Sequence, residues 1–397
     1  MANVVTSPRY SRWRRPLTDE FVVIDTVPEP DVLTDAPSLV RLPRGDLLCA
    51  CPRLVGGAGH LQATLQRLGP DTLSVYTSAD HGDSWKELHR LPFLAGRLFL
   101  HHGSAFYLGV GPERSGIWIS RSDDGGRGWT EPVELFEGSF YAAASGMAER
   151  DDRLYWAFGA VNAEGEFNRK GSRLLAVAGD LSADLTSPAA WRRSPHLEYP
   201  GTPAELVRPG RPRDRDHWLE PNVVNTPDGL RVIARLRLDG YATSGMAAVC
   251  DLADEGEHLD LRLSQLYPTP GAQNHFHILH DEVTALYWMV SNLPTRTQAP
   301  GSLPAQPGFR GSPGNERRFL MLFYGVDALN WFPAGCVAHW PSPAQAFNYT
   351  TPLIDGGDLL IVSRTSRNGR DQHDNDLITF HRLPEFRSLA LDLSPEA

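Results

Sequence analysis

Long apolar runs are missing from this 397-residue chain. No stretch approaches the ~18 consecutive apolar residues that a membrane-crossing helix needs. The N-terminal region also holds no apolar core of an export signal. Cysteine is scarce: the four are Cys49, Cys51, Cys250 and Cys336. None has metal-ligand spacing, and Cys49 and Cys51, two apart in an expected strand, are poorly placed for a disulfide. These absences lead to the expectation of a cytoplasmic protein with reduced thiols, no metal and no cofactor. A surplus of positive charge is lacking too. With 38 Lys and Arg against 48 Asp and Glu, the net charge is −10, which argues against nucleic acid or an anionic membrane as partner. The local exception, Arg9, Arg12, Arg14 and Arg15, reads as a solvated N-terminal arm over residues 1–19. Low-complexity tracts are absent as well. The 36 Gly and 32 Pro are scattered, as many short elements with tight turns require, and that favours an all-β chain.

What is present is a repeat. An apolar strand, a polar turn that often carries Gly, and a second apolar strand recur in residues 37–50, 99–108, 147–158, 221–234, 275–288 and 349–362. The spacing is roughly 40 to 75 residues, in or beyond the range of propeller blades with insertions. Asp-Gly turns such as Asp228-Gly229 reach positive φ at little cost and let antiparallel neighbours pair. The pattern predicts one six-bladed β-propeller over residues 20–397. Residues 20–27 read as a strand that completes the last blade, so that no edge stays open. Residues 292–315, rich in Pro, Gly, Ser and Gln, form either a lid over a pocket or a surface insertion.

Two shorter motifs share the pattern Ser-x-Asp-x-Gly-x-x-Trp: Ser78, Asp80, Gly82, Trp85, and Ser122, Asp124, Gly126, Trp129. The Asp is suited to bond turn amides, the Gly to take a left-handed backbone angle, and the Trp to plug a sheet edge. Residues 327–331 look like a decayed third copy that keeps Asp327 and Trp331. These motifs resemble the Asp boxes of the sialidase superfamily. The resemblance implies a sialidase-like propeller with its pocket at the axis, away from the boxes.

Residues at the starts of innermost strands would line that axis. Candidates around it are Glu220 ahead of Pro221-Asn222, Arg235 and Arg237 on the next strand, Arg317 and Arg318 on the third strand of the fifth blade, Tyr349 where the sixth blade opens, and Arg364 later in that blade. The resemblance gives these residues roles. Glu220 would activate Tyr349 as the nucleophile, while Arg235 and either Arg317 or Arg318 would hold a substrate carboxylate. The sequence also departs from the family. Where sialidases carry an aromatic-Arg-Ile-Pro motif, this chain has Thr34-Asp35-Ala36-Pro37, and the usual Glu partner is Arg364. Asp35 and Arg364 are therefore expected as an inverted salt bridge. No Asp follows the first blade's second strand to serve as acid/base; His60 is the nearest titratable group.

Other histidines keep a second chemistry open. His101, His102, Tyr141, His275 and His277 could serve β-elimination on a uronate, with His275 and His277 on one side of their strand. His373, in the run His373-Asp374-Asn375-Asp376, reads as funnel lining or as a hydrogen-bonded turn. The leading expectation is a glycoside hydrolase that releases a terminal anionic or uronate-linked sugar. A polysaccharide lyase and a non-catalytic sugar-binding propeller are the alternatives. In each case the partner is an oligosaccharide or polysaccharide.

Overall fold

The computed structural model describes residues 15–391, except 19, 28, 30, 56–60, 167–170, 207–215, 239–244, 295–315, 341–344 and 370–371. All six expected hairpins form, and the chain is all-β. The described strands make five sheets. The first sheet holds Val32–Thr34, Ser38–Arg41, Leu47–Val55, Leu73–Ser78 and Lys86–Leu91. A nine-stranded sheet follows, running from Ala95–His101 to Trp191–Arg193. Its strand Val133–Tyr141 pairs with Ser115–Ser122 along most of its length, then passes Phe140 and Tyr141 to Arg153–Ala160, so the sheet has two halves. Three four-stranded sheets complete the chain; with the two halves of the nine-stranded sheet numbered second and third, they are the fourth, the fifth and the last. They begin with His217–Thr226, Phe276–Asp281 and Ala346–Asp355. Val22–Thr26 pairs antiparallel with Leu377–Leu383 and completes the last sheet, as the N-terminal strand was expected to do.

Several strands read as unbroken apolar runs because both of their faces are covered. In Leu47–Val55, Leu48 and Ala50 join a cluster with Val75, Phe93 and Tyr107, next to the nine-stranded sheet. Leu47, Cys49 and Cys51 point the other way and pack with Leu360, Val362 and Phe380 of the last sheet. The period of two also puts Cys49 and Cys51 on one face, their Sγ atoms 3.5 Å apart as thiols. Leu359 and Ile361 face the fifth sheet, whereas Leu360 and Val362 face the first. Six apolar clusters of this kind join each sheet or half-sheet to the next, and the last sheet to the first. Each fully buried Leu or Val in them contributes about 1.5–3 kcal/mol by leaving water.

Polar stitches join the first strands of the sheets. Asn222 Oδ1 accepts from the amides of Gly146 (2.8 Å) and Ile278 (3.1 Å), and its Nδ2 donates to Phe276 O (3.1 Å). One side chain thereby ties three sheets. Thr351 Oγ1 lies 2.7 Å from Pro37 O and 3.1 Å from Ala144 O, linking the last sheet to two earlier ones.

The two Ser-x-Asp-x-Gly-x-x-Trp turns have the same internal bonding. In the first, Ser78 Oγ donates to Asp80 Oδ1 (2.7 Å) and accepts from Gly82 N (2.8 Å), while Trp85 Nε1 donates to Gly82 O (3.1 Å). The second repeats this at Ser122, Asp124, Gly126 and Trp129, with distances of 3.0, 2.8 and 3.1 Å. Gly82 and Gly126 have φ of 99° and 90°, where a Cβ would also strike Phe380 and Leu48 of the neighbouring sheet. At the third copy Ala328 takes a φ of 58°, and Asp327 Oδ1 accepts from the amides of Leu329 and Asn330.

Some expectations need correction. Of the four N-terminal arginines only Arg15 is described, and it is exposed; past it, Leu17 and Thr18 donate backbone bonds to Cys336 and Val337 of the fifth sheet. A helix, Leu61–Leu68, lies between the strands Leu47–Val55 and Leu73–Ser78, where no helix was expected. Arg317 and Arg318 precede the strand Phe319–Gly325 rather than lying on it. The segment 292–315, read as a lid or a surface insertion, falls outside the described residues beyond 294. Among the described residues, no helix is long and apolar enough to cross a membrane.

Candidate active site

A cavity of about 220 Å³ opens where the first strands of the sheets converge. Two backbone irregularities shape it. In the fourth sheet, Leu219 pairs with Arg235 and Asn222 with Ile233, so Glu220 and Pro221 together face one residue. In the last sheet, Asn348 pairs with Arg364 and Thr351 with Val362, so Tyr349 and Thr350 do the same. Both are β-bulges, which re-aim a side chain. Glu220 has a φ of 45° and Tyr349 of 48°. Left-handed backbone at a non-glycine residue costs on the order of 1–3 kcal/mol and concentrates at functional sites.

The bulges bring together side chains 129 residues apart in sequence: Tyr349 OH donates to Glu220 Oε1 at 2.9 Å. Arg235 Nη1 lies 3.0 and 2.8 Å from the two Glu220 oxygens and 3.2 Å from Tyr349 OH, and its Nε donates to Gln273 O. Arg364 sits over the Tyr349 ring with its Cζ 5.0 Å from the centroid, and its Nη1 donates to Asp35 Oδ1 at 2.8 Å. The expected Asp35–Arg364 contact is therefore present. Arg364 Nη2 also donates to His373 O. His275 stacks on Tyr349 at 5.0 Å, with an interplanar angle of 20°. It is buried, and among the described residues neither of its ring nitrogens has a hydrogen-bond partner. A buried imidazole with two orphan nitrogens is a rare arrangement that calls for a ligand or water beside it.

The cavity is cationic. Its lining includes five arginines (Arg114, Arg235, Arg237, Arg317, Arg364) against three acids (Asp35, Glu220, Asp374). Burial pushes the Glu220 carboxyl up, but Arg235, His275 and the two hydrogen bonds outweigh it, and the net shift is down. Burial and the Glu220 charge raise the Tyr349 phenol, against the pull of Arg235, Arg317 and Arg364. The pair thus rests as carboxylate and neutral phenol, aligned for proton transfer from Tyr349 to Glu220. Burial lowers Arg317 to about 10 and His275 to about 4. Tyr141 OH donates to Trp218 O at 2.9 Å, and burial lifts that phenol well above its ordinary value.

Of the residues expected here, Asp35, Glu220, Arg235, Arg317, Tyr349, Arg364 and His373 line the cavity, and His275 packs directly on Tyr349. Arg318 does not join them: it pairs with Glu316 at 2.5 Å and lies over Phe319. His60 lies outside the described residues. His277 is engaged elsewhere, with Arg97 (2.9 Å) and Ala144 O (2.8 Å). His101 ends the strand Ala95–His101, with its Nε2 2.8 Å from Leu181 O, and His102 opens the turn that follows. Of the five residues considered for elimination, only Tyr141 and His275 are near the cavity. Sequence reasoning missed Arg114 and His217. His217 pairs directly with Arg237, but the bulge shifts the register by one, so counting the hairpin back from its turn points to Trp218 instead. Arg114 ends a short 3-10 turn and carries no signal either.

The chain shares its all-β fold with carbohydrate-active enzymes of known structure. An α-L-arabinanase from Penicillium chrysogenum aligns with a TM-score of 0.51 and 15% identity, covering 93% of this chain and 99% of that one. A protein of unknown function from Dyadobacter fermentans gives 0.57 and 16%, covering 92% and 98%. A sialidase from Trypanosoma rangeli gives 0.57 and 13%, covering 90% of this chain and 56% of that one. No family model matches the chain, and no curated protein does.

Proposed function

We propose that this protein is a glycoside hydrolase acting at the arginine-rich cavity on a terminal anionic sugar. In this reading residues 20–397 are a single six-bladed, sialidase-like β-propeller, the two halves of the nine-stranded sheet being two blades. The six successive apolar clusters support that architecture. Four cysteines without a disulfide suit a reducing compartment.

The observation that carries the chemistry is the 2.9 Å contact between Tyr349 OH and Glu220 in a cationic pocket. A carboxylate nucleophile would be repelled by an anionic sugar, whereas a neutral phenol is not. As Tyr349 O bonds to the anomeric carbon and the leaving-group oxygen departs, the phenolic proton passes to Glu220. Arg235 then stabilises charge wherever it lies, on the carboxylate before transfer and on the phenolic oxygen during it. Arg317 and Arg237 supply the cationic wall that would hold the sugar's own carboxylate. Water releases the sugar in a second displacement, with retention of configuration.

The test is a panel of 4-nitrophenyl glycosides of neutral and anionic sugars, uronic and sialic acids included. The proposal expects turnover of at least one anionic member, no turnover of neutral ones, and loss of activity in Tyr349→Phe. Products that absorb near 235 nm, as unsaturated uronates do, would instead indicate a lyase, and binding without products a lectin.

A further inference from the structure

We infer that His373, oriented by Asp374, is the general acid and base of this site. This rests on the glycosidase reading, which by itself leaves the departing oxygen and the incoming water without a proton partner. Among the described residues of the first sheet, Asp35 is the acid that reaches the cavity, and it is held by Arg364. His373 lies beside Asp35, in the loop that leads into Leu377–Leu383, where Thr34 N donates to Asn375 O at 3.2 Å and Arg364 donates to both Asp35 and His373 O.

Three observations converge on it. His373 lines the same cavity as Glu220 and Tyr349, and a third of its side chain (33%) stays exposed there. Its ring stands edge-on to the Tyr349 ring, with centroids 6.2 Å apart and planes at 85°. That places an imidazole beside the nucleophile without blocking it. Finally, Nδ1 lies 3.0 Å from Asp374 Oδ1, whose side chain is 5% exposed. A carboxylate on Nδ1 fixes the tautomer and ring orientation, so that Nε2, across the ring, is the atom that exchanges protons. A hydrogen-bonded turn would account for the Asp374 contact alone, but not for an imidazole directed into the cavity beside Tyr349.

The proton balance closes. In the first step the His373 imidazolium gives its Nε2 proton to the glycosidic oxygen as the C–O bond breaks. Tyr349 O bonds to the anomeric carbon, and the phenolic proton moves to Glu220. In the second step neutral His373 takes a proton from water as the water oxygen attacks that carbon. The Tyr349–carbon bond breaks, and Glu220 returns its proton to the phenolic oxygen. The groups facing His373 are Asp374 on its own loop, Arg364 on Asp358–Ser366, Arg317 ahead of Phe319–Gly325, and Tyr349 on Ala346–Asp355. Burial and the two arginines lower its proton affinity, while Asp374 raises it. The net shift is down, to about 4, and an arriving anionic sugar would draw the balance back toward the imidazolium.

The test compares His373→Asn and Asp374→Asn with wild type on two glycosides of the same sugar. One has a 4-nitrophenyl leaving group and the other methyl. Thermal melts check that each variant is folded, and Asp374→Asn serves if His373→Asn is not. A methyl leaving group needs a proton and 4-nitrophenyl does not. His373→Asn should therefore lose about 100-fold or more on the methyl glycoside and far less on the first step with 4-nitrophenyl. Azide, a nucleophile that needs no base, should restore 4-nitrophenyl turnover and yield a glycosyl azide. One ionisation should vanish from the pH profile of kcat/KM. Asp374→Asn should show the same selectivity, reduced in size. Equal losses on both glycosides, or no azide rescue, would overturn the role of His373 while leaving Tyr349 and Glu220 untouched. A wild-type chain that cleaves no member of the panel would overturn the glycosidase reading and this role together.

Discussion

The hairpin of the fourth sheet and the hairpin of the last sheet carry the proposed chemistry on matching frames. Each has a two-for-one bulge early in its first strand, with the bulged residue at a φ near 45–48° and an arginine next to the bulge on the partner strand. In one the bulged residue is Glu220 and the arginine, Arg235, binds its carboxylate. In the other it is Tyr349 and the arginine, Arg364, covers its ring and reaches Asp35 instead. The same backbone device thus presents the proposed base in one place and the proposed nucleophile in the other. What differs is how strongly the arginine is tied to the presented group.

The comparison is broken most severely by removing either presented group. Tyr349→Phe and Glu220→Gln should each lower kcat by about 10²–10⁴-fold, read on an anionic 4-nitrophenyl glycoside. Their effects on stability should then separate the two hairpins. Glu220→Gln leaves the buried Arg235 without its charge partner and should cost about 3–5 kcal/mol in chemical denaturation, while Tyr349→Phe leaves that ion pair intact and costs far less. The pH dependence of unfolding sharpens the same point. Glu220 has a folded pKa below its unfolded one, so its stabilisation is complete above the ordinary Glu value of about 4.3 and is lost as pH falls through the folded value. Wild type should lose this component in acid, and Glu220→Gln should not have it to lose.

How far the sequence reveals this site depends on the kind of feature. Hairpins were legible because each strand is apolar on both faces and each turn is polar, as in residues 47–51 and 359–362. The two Asp turns were legible because their geometry needs fixed residue types at fixed spacing. Glu220, Tyr349, Asp35 and Arg364 were reached through the resemblance and the strand starts. The bulges were not visible, since an extra residue in one strand leaves the local apolar pattern almost unchanged. That is why His217, which lies beyond the bulge and lines the cavity, escaped notice. Arg318 shows the converse. Adjacent to Arg317, it looked equivalent, yet Glu316 draws it aside.

Smaller effects are expected away from the cavity. Gly82→Ala places a Cβ at positive φ against the Phe380 ring, and should cost about 1–3 kcal/mol in thermal unfolding without changing kcat per folded molecule. Smallest of all, Arg364→Lys keeps the charge but loses the planar contact on Tyr349. It should lower kcat about tenfold or less, whereas Arg235→Lys, at the tighter hairpin, should lower it more.

The central claim is that Tyr349 attacks the sugar. The most direct measurement is mass spectrometry of the Tyr349-containing peptide. The protein would first be incubated with a fluorinated glycosyl fluoride of the anionic sugar it cleaves, a probe that forms the covalent intermediate quickly and releases it slowly. A sugar adduct on Tyr349, absent from Tyr349→Phe, is the predicted result. Full turnover by Tyr349→Phe, or an adduct on a different residue, would contradict the account.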